Sequence, residues 1–231
     1  MLNCVFESFS TKEIPQAVFV EYADTLLPIR NIGSDPVKAE RVLSGVREKI
    51  GEEAYESVRS CFLAEFPDKE IALIRYLKRG FEVGSPVNSL LSDDAVRPFF
   101  KGVRGLWKER MSLIEFLRFS DYNGSLVGII TPQNNVLPLL GAHFIARYPK
   151  ETFMVYDKNR LLAFVYTEGK GKIVPTNELD LPETTEDEKK YRALWRAFYD
   201  TIAIEERKNE RLRMGHLPKK FWKNMTEFLS D

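Results

Sequence analysis

Near Glu115 the apolar residues of this chain stop recurring at three- and four-residue intervals and begin to recur at two. A helix brings i, i+3, i+4 and i+7 to one face, whereas a strand brings i and i+2 to one face. The change of period therefore commits the chain to a helical first half and a sheet-bearing second half, an α+β class. Ahead of the change, Asp35-Pro36 is a helix start signal, and Ala39, Val42, Leu43, Val46 and Ile50 form one stripe over 34–50. The same spacing predicts helices over 52–66 (Tyr55, Val58, Phe62, Phe66), 69–81 (Ile71, Ile74, Leu77, Phe81) and 96–115. After a short apolar opening, Ile14, Ala17, Val18 and Tyr22 point to a further helix over 11–24, with Pro15 in its first turn.

Behind the change, FLRF (116–119) and SLVGIIT (125–131) read as strands joined at Asn123-Gly124, a type I′ hairpin signal. FMVY (153–156) and LLAFVY (161–166) close around DKNR, with KIVP (172–175) as an edge strand ended by proline. Between the pairs, NNVLPLLGAHFIARYP reads as a helix capped by Asn134 or Asn135, with Leu139, Leu140, His143, Phe144 and Arg147 at helical intervals. Hairpin, helix, hairpin implies a small antiparallel sheet covered on one face. The whole is expected to be one domain over 1–231, with halves at about 1–115 and 116–231. The stretch 176–188 holds six acids and no base and reads as an exposed connector to a C-terminal amphipathic helix with a basic tail.

Lys plus Arg equals Asp plus Glu at 34 each, so no net positive field marks the chain as a nucleic-acid coat protein, and only local segregation of charge can argue for such a partner. Two cysteines (Cys4, Cys61) and two histidines (His143, His216) are too few soft ligands for a zinc or iron–sulfur motif, so neither a metal nor a cofactor is expected. Beside Val5 and Phe62, the cysteines read as buried thiols. No apolar run approaches the roughly 18 residues needed to span a bilayer, and the opening residues lack a signal pattern. A cytoplasmic protein with no membrane partner is expected.

Charge is segregated at the C-terminal end. Tyr191, Leu194, Trp195, Phe198 and Ile202 share one helical face and Arg192, Arg196 and Arg207 the other, with Glu205 and Glu206 at the margins. Those two glutamates either pair with nearby arginines or, beside apolar walls, gain a raised pKa and serve as acid or base. His143 is the other catalytic candidate, though its helix suits a core or rim histidine. Between Arg207 and Lys223 stand seven basic residues, one acid (Glu210) and His216, with Phe221 and Trp222 among them. A basic strip with flat rings suits phosphates and unstacked bases, through Arg207, Arg211, Lys219 and Lys220 with Trp222 or His216 at a base or phosphate. The alternative is a solvated tail anchored by one tryptophan. Pro218 sets a rigid turn that aims the side chains after it. Arg118 falls inside the first strand, facing solvent or a groove, and Lys170 reads as a turn residue, because GKGK lacks the strand and loop frame of a phosphate-binding loop.

IAIEERKNERLRMGHLPKKFW, NVLPLLGAHFIARYP, KAERVLSGVREKI, FLRF and VYD together resemble, across nearly all of the chain, a bacterial domain-of-unknown-function family described as a probable DNA metabolism protein. The resemblance implies a companion of a radical S-adenosylmethionine (radical SAM) protein of DNA modification or repair, and some relatives are joined to a uracil-DNA glycosylase-like domain. Neither companion activity is encoded here: the radical enzyme needs three closely spaced cysteines, and this chain has two far apart. An accessory that contacts damaged or single-stranded DNA is thus implied, with Arg207, Asn209, His216, Pro218, Lys219, Lys220 and Trp222 matching the family's tail. Met111 and Glu115 stand where the family usually has a histidine and a glycine, and Asn209-Glu210-Arg211-Leu212-Arg213 replaces Asn-Pro-x-Leu-Gln. Rival readings are a self-sufficient enzyme using Glu205 or Glu206 with a histidine, and a protein-interaction scaffold without nucleic-acid contact.

Overall fold

In a computed structural model, the described residues are 1–19, 24–26, 28–178, 186–202, 217–222 and 225. They form an α+β fold, as the change of period predicts. The chain divides into two units, Met1–Trp107 and Lys108–Asp231, with the cut inside one long helix.

The first unit is helical. Helix α1 (Leu2–Thr11) occupies the stretch expected to be a short opening, and residues 12–19, expected to start a helix, are not helical. Leu2, Val5, Phe6 and Phe9 supply the stripe. Lys12, at φ 61°, then stops the helix in the left-handed region. The Ser8 hydroxyl and the Lys78 ammonium both donate to the Glu13 carbonyl, which holds the chain out of helix there. Helix α2 (Pro36–Lys49) starts as predicted: the Asp35 carboxylate accepts from the amides of Val37 at 2.9 Å and Lys38 at 3.2 Å, and Pro36 takes the first turn, where no donor is lost. Helices α3 (Glu52–Leu63), α4 (Lys69–Val83) and α5 (Arg97–Phe116) follow, with a 3-10 turn at Ser85–Ser89.

Helix α3 buries Val58 of its predicted stripe and packs Tyr55 partly against the core, but leaves Phe62 outside. Ala54, Val58 and Cys61 are fully buried, whereas Phe62 is exposed and Tyr55 lies under the Arg47 guanidinium, 3.8 Å away. Small side chains on the inner face let the helix approach its neighbours closely, and a cation-covered ring is stable at the surface. Val5, Val46, Leu73, Leu77 and Phe99 complete a dry core, each large side chain contributing about 1.5–3 kcal/mol of transfer free energy. Tyr76 stacks flat on Phe99 at 4.0 Å, and its hydroxyl donates to Asn88 Oδ1 at 2.7 Å. Burial pushes the Cys61 thiol up to about 12, so it is an inert core group, while Cys4 is only half-buried.

The second unit is built on a five-stranded sheet in sequence order: β1 (Phe119–Tyr122), β2 (Ser125–Ile130), β3 (Thr152–Asp157), β4 (Leu162–Thr167) and β5 (Lys170–Pro175). Asn123 (φ 53°) and Gly124 (φ 84°) form the expected two-residue turn of the first hairpin. The first strand is shorter than FLRF suggests, because Phe116 ends α5 and Leu117 and Arg118 only connect. Lys170 is a strand residue at the sheet edge, and the turn before it is Glu168-Gly169, again with two positive φ values.

The expectation of a wholly antiparallel sheet is wrong at one pair. Strands β2 and β3 run parallel, from Ser125 opposite Thr152 to Ile130 opposite Asp157. Helix α6 (Leu137–Arg147) carries the chain back along the sheet before β3 starts, and a crossover of that length returns the strand in the same direction. Helix α6 packs on β4 and β5 over Phe164, whose ring is held between two glycines. A Cβ at Gly141 or at Gly171 would come within 2.6 Å of it. Phe153, fully buried, sits among Phe119 at 6.0 Å, Phe144 at 6.4 Å and Tyr166 at 5.1 Å between centroids.

The first turns of helix α7 (Glu186–Ile202) depart from the expected pattern at the positions the structure describes. Tyr191 and Leu194 of the predicted apolar face are 70% and 64% exposed. Arg192, predicted to point outward, is tucked against β1: it pairs with Glu188 at 2.9 Å and donates to Ser120 Oγ at 2.7 Å, while Glu188 accepts from the Asp121 amide. An edge strand carries unpaired backbone groups, and this ion pair satisfies one of them. The last element is a short helix, α8 (Lys219–Trp222). Among the described residues no helix is long and apolar enough to cross a membrane.

Gly141→Ala is expected to destabilise the protein by about 1–3 kcal/mol, because the Phe164 ring has no space to yield. Urea unfolding followed by circular dichroism measures it.

Candidate functional site

The predicted tail begins, within the described residues, at Leu217. Pro218 starts a tight turn, its carbonyl accepting from the Phe221 amide at 3.0 Å, and α8 follows at once. Phe221 is buried, with its ring 5.7 Å from Phe116 at the end of α5, and Met225 is buried beyond it. These two apolar anchors fix α8, as a rigid turn at Pro218 requires. Lys219 remains exposed, and its ammonium lies 5.7 Å from the centroid of the Trp222 ring. The indole N–H donates to the Leu217 carbonyl at 3.0 Å, so Trp222 is half-buried and its only donor is used internally. Lys220 belongs to the same short helix. Glu205, Glu206, Arg207, Asn209, Arg211 and His216 lie outside the described residues. Of the interface predicted from sequence, α8 thus brings Lys219, Lys220 and Trp222 together.

His143 is the one catalytic candidate the structure describes. It is half-buried on α6, edge-on to Phe144 at 5.0 Å, and its Nε2 is buried without a hydrogen-bond partner. Burial holds its pKa below the ordinary imidazole value, and the charges of Arg110 and Arg147 add to the effect. A neutral ring facing two guanidinium groups is a rim histidine. Among the described residues no carboxylate orients it as a catalytic base would require. Met111 and Glu115 are both exposed on α5.

The densest buried polar cluster escaped the sequence reading. Glu109, on the inner face of α5, is buried and accepts from the Gln133 amide at 3.0 Å, the Asn134 amide at 2.8 Å and the Asn134 side-chain amide at 2.7 Å. Neither asparagine caps α6: Asn134 is held by Glu109, Asn135 leaves its Oδ1 buried and unpartnered, and the cap position falls to Val136. Across the loop, Asp157 is fully buried at the end of β3 and accepts from the amides of Asn159 and Arg160 and from the Arg160 guanidinium at 3.2 Å. Burial raises the Asp157 pKa, and Arg160 opposes that rise. Asn159 and Arg160 in turn donate to the Pro132 carbonyl, and Arg160 also to that of Gln133. This is the carboxyl edge of the parallel pair, where open α/β sheets place their ligand sites. Here the acceptors of Glu109 are committed to loop amides, so the residue fastens the loop. A glutamate in register with Phe99, Val103, Leu106 and Leu113 on a core stripe was the available signal of a buried carboxylate.

A family model described as "Domain of unknown function (DUF4130" matches residues 67–227, from two residues before α4 to beyond α8. The chain belongs to the DUF4130 family. No curated protein and no solved structure matches it. The matched span contains the Glu109 cluster, His143 and the whole basic tail. Among the described residues no group of three or more His, Cys, Asp or Glu side chains is placed to hold a metal ion.

Glu109→Ala is expected to destabilise the protein by about 3 kcal/mol, because two loop amides lose a charged acceptor in a buried setting. Denaturation, together with faster hydrogen exchange at the Gln133 and Asn134 amides, reads this out. His143 gives a pH effect of definite sign. Its folded pKa is depressed, so the unfolded chain binds the proton more readily, and stability falls as pH drops from the ordinary imidazole value of about 6.5 through the folded pKa. The His143→Gln protein is expected to lack that part of the slope, and the His143 ring to titrate below 6.5 by NMR.

Proposed function

We propose that this chain binds nucleic acid as an accessory of DNA metabolism and works in the cytoplasm beside a separate radical SAM enzyme. The observation that carries the reading is the arrangement of Lys219. It is exposed, it has no carboxylate partner among the described residues, and it is held over the Trp222 ring on a helix pinned by buried Phe221. A cation with no internal counter-ion keeps its attraction for phosphate, and a fixed one loses little side-chain entropy on binding. It also belongs to the segment in which seven bases face one acid.

The mechanism in this reading is positioning. Lys219 and Lys220, with Arg207 and Arg211, neutralise phosphates of one strand, and His216 or the exposed edge of Trp222 meets a base or phosphate. Contacts of that kind hold DNA without selecting sequence, which suits a subunit that presents a strand to another enzyme. The resemblance to a family of DNA metabolism supports the same reading, with the chemistry supplied by the radical SAM partner and damaged or single-stranded DNA as the strand presented.

Fluorescence anisotropy with a labelled 20-nucleotide strand and the matching duplex tests it. The four phosphates neutralised by the tail contribute about −3 for the strand and −4 for the duplex to the slope of log affinity against log salt. Lys219→Gln with Lys220→Gln is expected to weaken that slope by about 2. Salt-independent binding, or no binding to either DNA, would overturn the proposal.

A further inference from the structure

Helix α5 carries a run of cations on one face. Lys101, Arg104 and Lys108 recur at intervals of three and four residues, which sets them on one face, and all three are exposed. Among the described residues none has an ion pair or hydrogen bond through its side chain, in contrast to Arg97 one turn earlier, which pairs with Asp94. The acid nearest in sequence, Glu109, is buried and occupied by the loop amides. Three cations thus stand uncompensated over seven residues of helix, about 10 Å along the axis at 1.5 Å per residue. Phosphates of one B-form strand rise about 3.4 Å each along the axis and stand farther apart along the backbone itself, so the stripe meets two or three of them.

A second observation comes from the backbone. Gly105 lies between these cations, four residues after Lys101 and three before Lys108, in the middle of a 20-residue helix. It is exposed, and a Cβ added there would meet nothing within 4 Å. No packing reason therefore accounts for a residue that costs a helix interior about 1 kcal/mol relative to alanine. What the glycine provides is a notch in the helix surface ringed by Lys101, Arg104 and Lys108, where a sugar–phosphate backbone can approach the helix closely. Trp107, 42% exposed, and Met111, 48% exposed, border the stripe and supply the flat and polarizable apolar surface enriched at interfaces.

We infer that the outer face of α5, with Lys101, Arg104 and Lys108 around the Gly105 notch, is a nucleic-acid backbone contact in its own right, additional to the tail. This rests on the nucleic-acid reading above and extends it to a second footprint. An acidic protein surface is the lesser fit, because the notch serves a bare backbone repeat and offers nothing to carboxylates on long side chains.

The test uses the full chain and the same labelled 20-nucleotide strand and 20-base-pair duplex. Lys101→Gln/Arg104→Gln/Lys108→Gln, with fold checked by circular dichroism, is expected to weaken the duplex salt slope by about 3 and to raise Kd at least tenfold at 100 mM salt. Gly105→Gln keeps every charge and improves helix propensity, and it is expected to raise Kd several-fold with no loss of thermal stability. Wild-type slopes and affinities in both variants overturn the α5 footprint while leaving the tail reading in place. A wild-type protein that binds neither DNA overturns the nucleic-acid reading and this inference with it. Retained DNA binding with loss of polyglutamate binding in the triple variant assigns the stripe to an acidic protein and also overturns the inference.

Discussion

The Glu109 carboxylate is the constraint on which the sheet-bearing unit depends. A chain that leaves β2, crosses by a helix and re-enters the sheet in parallel must turn at the strand's carboxyl end, where its amides have neither ladder nor helix partners. Glu109 supplies the acceptors for two of those amides, and the donors of Asn159 and Arg160 satisfy the carbonyls of the same loop. Helix α6 can then begin at Leu137 without a side-chain cap. From that start its Gly141 reaches Phe164, and the helix closes one face of the sheet.

The cost of that arrangement is visible in its charges. Glu109 and Asp157 are both buried, and each is surrounded by donors; a buried carboxylate left without them would lose several kcal/mol. Arg160 serves twice, holding Asp157 and bridging to the loop, so the two carboxylates share one hydrogen-bonded frame through Gln133. A network of this kind specifies one geometry, because any shift of the loop strands several polar groups at once.

Much of this is legible in the sequence, and the gaps have physical causes. Periodicity and capping located α2 through α5 and the two hairpins to within a few residues, since each is decided by contacts local in sequence. Strand direction is not local: the two short apolar pairs look the same whether the crossover returns parallel or antiparallel, and only the span of α6 decides it. Asn134 and Asn135 carry the chemistry of a helix cap, but a buried carboxylate from α5 out-competed it for Asn134, a tertiary effect no cap rule contains. Helix α7 misled for the same reason. At its start, Arg192 and Glu188 are drawn to what the β1 edge needs, a donor for Ser120 and an acceptor for Asp121. The basic tail stood out as composition, yet of its candidate residues the description reaches only those on α8.

Equal numbers of acids and bases argue against a polyanion partner only if the two signs are spent alike, and here they are not. Arg160 and Arg192 are turned inward onto carboxylates, and Arg110 is bonded to the Leu139 carbonyl, so these cations have little counter-ion atmosphere to exchange. Lys101, Arg104, Lys108 and Lys219 face solvent with no acid paired to them among the described residues. Counterion release depends on the cations that meet phosphate, and screening beyond about 8 Å at physiological salt hides the acids elsewhere on the surface. Neutrality of the whole chain and a locally attractive face are therefore compatible. The burial of Glu109 is what permits both on one helix, since the same residue exposed beside Lys108 would cancel it.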